Sequence, residues 1–118
     1  MRPMIRQGDV LLRPVDQPHQ YHIIDRAAPV DRLVLATGEA TGHDHALVGR
    51  IEAVTVREGP HVSSRVPILK LVNLLEPSRL YHPDHDPGGS EPIPAGWYQV
   101  LRQRIYWGPS GDTRTVED

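Results

Sequence analysis

Trp97-Tyr98-Gln99-Val100-Leu101-Arg102-Gln103-Arg104-Ile105-Tyr106-Trp107 is the stretch on which the fold turns. Its residues alternate in two sets. One set is Trp97, Gln99, Leu101, Gln103, Ile105 and Trp107; the other is Tyr98, Val100, Arg102, Arg104 and Tyr106. Neighbouring side chains of a strand point to opposite faces, so the pattern reads as one long β-strand. It starts from Ile93-Pro94-Ala95-Gly96, where proline suits the early position of a turn and Gly96 can take a positive φ.

Upstream, Pro67-Ile68-Leu69-Lys70-Leu71-Val72-Asn73-Leu74-Leu75 is the most hydrophobic segment. Its flanking proline and short length favour a buried strand. Its periodicity also fits a helix with Ile68, Leu71, Val72 and Leu75 on one side, and pattern alone leaves both open. Gln7-Gly8-Asp9 reads as a turn feeding a first strand over 10–15. Residues 16–29 read as an irregular loop with a short strand at 21–24. Residues 32–36, 46–48 and 50–57 read as a hairpin, broken at Glu58-Gly59-Pro60. Residues 79–82 form a further strand. The twelve prolines and ten glycines are spread along the chain, which calls for many short elements joined by turns. The expected fold is mainly β, a small antiparallel β-barrel or compact sandwich with at most one short helix. One β domain is expected over 1–108, followed by a polar, poorly ordered C-terminal tail over 109–118.

Composition sets the outer bounds. A chain of 118 residues fits one domain with a modest core. Its net charge of −2, with acids and bases interspersed, creates no global field for nucleic acid or membrane. Cysteine is absent, which removes disulfides, thiolate ligands and thiol catalysis. No run resembles a signal peptide or a membrane span, so a cytoplasmic protein without membrane contact is expected. No Gly-x-x-x-x-Gly-Lys loop appears, Lys70 is the sole lysine, and the serines occupy no nucleophile elbow.

The chemistry concentrates in the histidines. Thr37-Gly38-Glu39-Ala40-Thr41-Gly42-His43-Asp44-His45 places two imidazoles at i and i+2 among glycines and acids. In a strand both would share one face and could converge on one ion. His82-Pro83-Asp84-His85-Asp86 offers further ligands some forty residues on. The expected site therefore takes a divalent transition metal (Zn, Fe, Ni or Mn) through His43, His45, His82 and His85. Glu39, Asp44 and Asp84 would be outer carboxylates or additional ligands. Three neutral ligands with an open position would suit catalysis, by hydrolysis or oxygen activation; a closed set of four would be structural. His19, His22 and His61 read as surface residues.

The Gly38 to His45 stretch resembles the first metal motif of the cupins, and Pro94-Ala95-Gly96 resembles the Pro-x-Gly turn of their second. The resemblance implies an antiparallel barrel holding Fe, Mn, Zn, Ni or Cu. The glutamate of the first cupin motif has no counterpart, since Gly49 and Arg50 fill its region, and Gln99 lies closest to the slot of the second-motif histidine. Gln7-Gly8-Asp9-Val10-Leu11-Leu12, the Gly-His-x-His stretch and the strand ending at Tyr106 also resemble short bacterial or prophage proteins, which implies a self-standing domain.

A different class of function also fits the sequence. Tyr98, Arg102, Arg104 and Tyr106 interleave aromatics with arginines and could stack and clamp single-stranded nucleic acid. That face, or an exposed strand edge, could equally dock a protein partner or a second copy, making the chain a non-enzymatic accessory subunit. Trp97 and Trp107 read as core or interface residues.

Overall fold

A computed structural model describes residues 2–16, 20–37, 44–58, 68–83, 86–107 and 113–117, with backbone alone at 36–37, 58, 103–107 and 113–117. The described chain forms nine strands: β1 (Ile5–Gln7), β2 (Val10–Pro14), β3 (Tyr21–Arg26), β4 (Val30–Thr37), β5 (Asp44–Glu58), β6 (Ile68–Leu74), β7 (Arg79–Tyr81), β8 (Gly96–Trp107) and β9 (Thr113–Glu117). The protein is mainly β, all its strand pairs are antiparallel, and no α-helix occurs among the described residues. None is therefore present that is long and apolar enough to cross a membrane.

The main path runs β1-β2-β8-β6-β5-β3, with β4 and β7 also on β5 and β9 on β8. Its ends, β1 and β3, do not pair with each other, so the sheet does not close into a barrel. The segment read as a C-terminal tail contains β9, whose Thr113–Glu117 pairs with Gln103–Trp107 of β8.

β5 is the axis of the molecule. Its 15 residues exceed an ordinary strand, because its two halves serve different neighbours. The first half lies between β4 and β7, with Leu47 opposite both Leu33 and Leu80. The second lies between β3 and β6, with Val56 opposite Ile23 and Leu69. Gly49 lets the strand pass between them: a Cβ there would stand 2.8 Å from Ser78 Cβ and against its hydroxyl.

The ambiguity of the most hydrophobic segment resolves as strand β6, and burial on both faces explains its pattern. Val72 and Leu74 join a cluster with Val10, Leu12, Leu47, Ile51, Leu80, Ile93, Tyr98 and Val100. Leu71, on the opposite face, joins Val15, Val54 and Val56, covered by Tyr21, Leu69 and Trp97. A strand buried on both sides over Leu71 to Leu74 has little polar surface to show, so apolar residues dominate its sequence, with Lys70 and Asn73 as the exceptions.

Candidate functional site: a buried imidazole pair and its polar relay

β1 and β2 are joined by Gly8 and Asp9, with Gln7 opposite Val10. Gly8 has φ 59° and no other residue of the turn is left-handed, the pattern of a type II′ hairpin with glycine first. The tight turn projects Gln7 and Asp9 toward the start of β5. Gln7 shares a strand face with Ile5, which packs on the larger core, so its amide is carried inward and is 2% exposed.

His45 is the second residue of β5 and lies on the face of Leu47, which buries it to 5% exposure. His82 follows β7 and is 7% exposed. It exchanges backbone hydrogen bonds with Asp86, His82 N–H donating at 3.2 Å and Asp86 N–H at 2.9 Å. The two imidazoles meet, with ring centroids 4.2 Å apart and planes inclined by 34°. Residues 37 positions apart in sequence thus share one buried spot.

A chain of hydrogen bonds sets the state of His45. The Gln7 amide nitrogen donates to Asp86 Oδ2 at 2.6 Å and to the Leu80 carbonyl at 3.0 Å. Neither partner can donate in return, so the amide orientation is fixed and Gln7 Oε1 is left to accept. His45 Nδ1 lies 2.9 Å from that oxygen and must carry the proton. His45 Nε2 faces Asp9 Oδ1 at 3.4 Å, and the other Asp9 oxygen accepts from Arg102 Nε at 3.1 Å. The relay therefore runs Asp86, Gln7, His45, Asp9, Arg102. It joins the β1–β2 turn, β5, β8 and the loop after β7 (buried polar groups need partners, and here each supplies the next).

The outer side of His82 opens on a cleft of about 460 Å³. Arg32 of β4, Asp44 and Ala46 of β5, Tyr81 of β7, and Pro83 and Pro87 beyond His82 form its walls.

Of the expected metal ligands, the structure brings together His45 and His82. His43 and His85 lie outside the described residues, as do Glu39 and Asp84. Asp44 stands in the cleft wall, on the opposite face of β5 from His45. Among the described residues no three His, Cys, Asp or Glu side chains are placed to hold a metal ion. Gln99 accepts a hydrogen bond from Arg13.

The expected arginine and tyrosine face needs correction. Tyr98 is 0% exposed, because β8 is central in the sheet and packs this ring into the core, with its hydroxyl donating to the Pro94 carbonyl at 2.7 Å. Arg102 is turned to Asp9. The side chains of Arg104 and Tyr106 lie outside the described residues.

Gln7, Asp9, Asp86 and Arg102 are the partners of the pair that sequence reading did not assign. Gln7 carried a usable signal, since its period-2 match to Ile5 puts a polar residue on a core face. Asp9 carried none, because an aspartate in a glycine turn is ordinary turn chemistry.

A family model described as Domain of unknown function (DUF8820) matches residues 6–103, a span that contains the whole relay. No curated protein and no solved structure matches the chain.

Proposed function

We propose that this chain, which belongs to the DUF8820 family, binds one divalent transition-metal ion at the His45–His82 pair. The observation that carries the reading is the contact of His45 Nδ1 with the oriented Gln7 amide oxygen beside a second buried imidazole. Histidines that ligate metals donate their other ring N–H to a fixed acceptor, which aims the lone pair and raises its basicity. Gln7 Oε1 is such an acceptor, and Asp86 holds Gln7 in turn. Asp9 supplies negative charge beside Nε2, and Arg102 holds that carboxylate in place.

A third protein ligand would fall to His43 or His85, the nearest histidines along the chain to His45 and His82, both outside the described residues. Imidazole donors suit Zn, Fe, Ni and Cu, and a carboxylate widens the set to Mn. If a position were left open, the ion would supply a bound water with a pKa of about 7, the chemistry of metal-assisted hydrolysis.

Thermal melts of the untagged protein with zinc and with chelator test the reading. Zinc at a hundredfold excess over its dissociation constant adds about 2.7 kcal/mol, a rise in Tm on the order of 10 °C for a domain of this size. His45→Ala and His82→Ala should each abolish the difference between zinc and chelator, whatever they do to the melting point itself. Equal melting points for the unaltered protein under both conditions would end the proposal.

A second reading, a protein-interaction module, draws on the apolar surface at the sheet's end. Ile23 and Ile24 of β3 are 43% and 46% exposed, and Val30 of β4 is 40% exposed. The partner in this reading is a second copy of the chain. Light scattering should then give a dimer that Ile23→Lys converts to monomer; a monomer at all concentrations would count against it.

A further inference from the structure

The cleft beside His82 carries one cationic and one anionic side chain in its wall, Arg32 and Asp44. In the β4–β5 register Arg32 stands opposite Val48, and Asp44 begins the same strand four residues earlier. That separation is about 13 Å of strand. Between them the floor is Ala46, a small buried side chain that leaves the cleft deep, and the far wall is built of Pro83 and Pro87. No ion pair joins Arg32 or Asp44 to another described residue. A guanidinium and a carboxylate that line one cleft without neutralising each other complement a ligand whose own two charges are far apart.

We propose that this cleft binds a small linear zwitterion of the free-peptide class, with the ligand's carboxylate on Arg32 and its ammonium group on Asp44. A planar guanidinium offers two parallel N–H donors to a carboxylate, and a carboxylate accepts from an ammonium. The volume of about 460 Å³ falls within the range of small-molecule sites. An extended tripeptide spans about 10 Å, which the reach of the arginine side chain matches to the strand separation. Tyr81 and His82 also line the cleft, and the ligand's two ends are matched by Arg32 and Asp44. This inference rests on the two charges and not on a metal.

Isothermal titration of the untagged protein in chelator with triglycine tests it. The comparison ligands are N-acetyl-triglycine, which lacks the cation, and triglycine amide, which lacks the anion. Each cap should weaken binding roughly 10- to 100-fold, the range for loss of a hydrogen bond to a charged group. Arg32→Gln should remove the discrimination between triglycine and its amide while keeping that against the acetylated peptide. Asp44→Asn should do the reverse. A folding defect cannot produce that crossed pattern. Capped peptides that bind as well as triglycine, or no saturable binding of triglycine, would overturn the proposal, as would variants that lose both discriminations together. Because the titration is run without metal, its failure and the failure of the metal reading are separate results.

Discussion

Gln7 is a neutral residue whose two ends have different duties. Its nitrogen is held by Asp86 and Leu80, and its oxygen receives the His45 proton. Flipping the amide would set its oxygen against a carboxylate and a carbonyl, so the orientation follows from the acceptors alone. Gln7→Ala leaves the His45 N–H and the Asp86 carboxylate without this partner. We predict a loss of about 1–3 kcal/mol in urea unfolding under chelator. Zinc affinity measured by competition should fall about 10- to 100-fold. Nitrogen NMR of the imidazole should show His45 protonated at Nδ1 in the unaltered protein and a mixture of tautomers in the variant. An unchanged tautomer would show that Gln7 does not set it.

Tyr98 gives a second prediction at this scale. Burial pushes its phenol above the usual tyrosine value, and the nearby Arg2 guanidinium opposes the shift only in part. The folded-state pKa is raised, so its contribution is fully present below the unfolded value of about 10 and is lost as pH rises through the folded one. Tyr98→Phe removes the bond to the Pro94 carbonyl, at a cost of about 0.5–1.5 kcal/mol at neutral pH. It should also flatten the fall in Tm above pH 10, and a fall of unchanged steepness would refute the assignment.

Among the elements, β3, β5, β6 and β8 are tied by a lateral ladder of side chains. Arg26 donates twice to Glu52, at 2.8 and 3.1 Å, and Asn73 donates to Glu52 at 2.8 Å. The Arg26 guanidinium also lies over the Trp97 ring at 5.6 Å. The Arg26 hydrogen bonds, then that of Asn73, hold the Glu52 carboxyl below its usual value. A depressed folded-state pKa contributes stability above the unfolded value of about 4.3, and that stability is lost as pH falls through the folded value. Glu52→Gln should therefore show a shallower loss of Tm below pH 4.5 than the unaltered protein, and equal slopes would contradict this. The effect will be small, because the pair is partly solvated.

The strands were legible in the sequence where burial is one-sided or complete, and the register was not. The alternation of β8 and the apolar run of β6 are direct prints of the pleat. That β5 is continuous through Gly49 could not be read, because a glycine within a strand marks a close approach only when the approaching residue is known. Here that residue is Ser78, 29 positions downstream. β8 looked like a two-faced surface strand because its arginines and tyrosines alternate. Its first half lies between β2 and β6, and Tyr98 is core.

In the whole molecule, two apolar clusters sit on opposite faces of strands β5 and β6, so loss of either strand opens both. The imidazole pair sits at the edge of the larger cluster, where the β1–β2 turn, β5 and the loop after β7 converge. Half of this site was legible. His45 and His82 stood out by residue type, and their rings lie 4.2 Å apart. Their supporting residues are a glutamine, a turn aspartate and a strand arginine, types whose ordinary surface roles hide a buried one. Only the fold brings Gln7 within reach of residues 38 and 79 positions away.

The central claim is that the His45–His82 pair is a metal centre. Its most direct test is the metal content per chain of untagged protein, measured beside the His45→Ala, His82→Ala double variant. The account predicts close to one equivalent of zinc, iron, nickel or manganese in the unaltered protein and none in the variant. Equal metal in both, or none in the unaltered protein even after exposure to each ion, would contradict it.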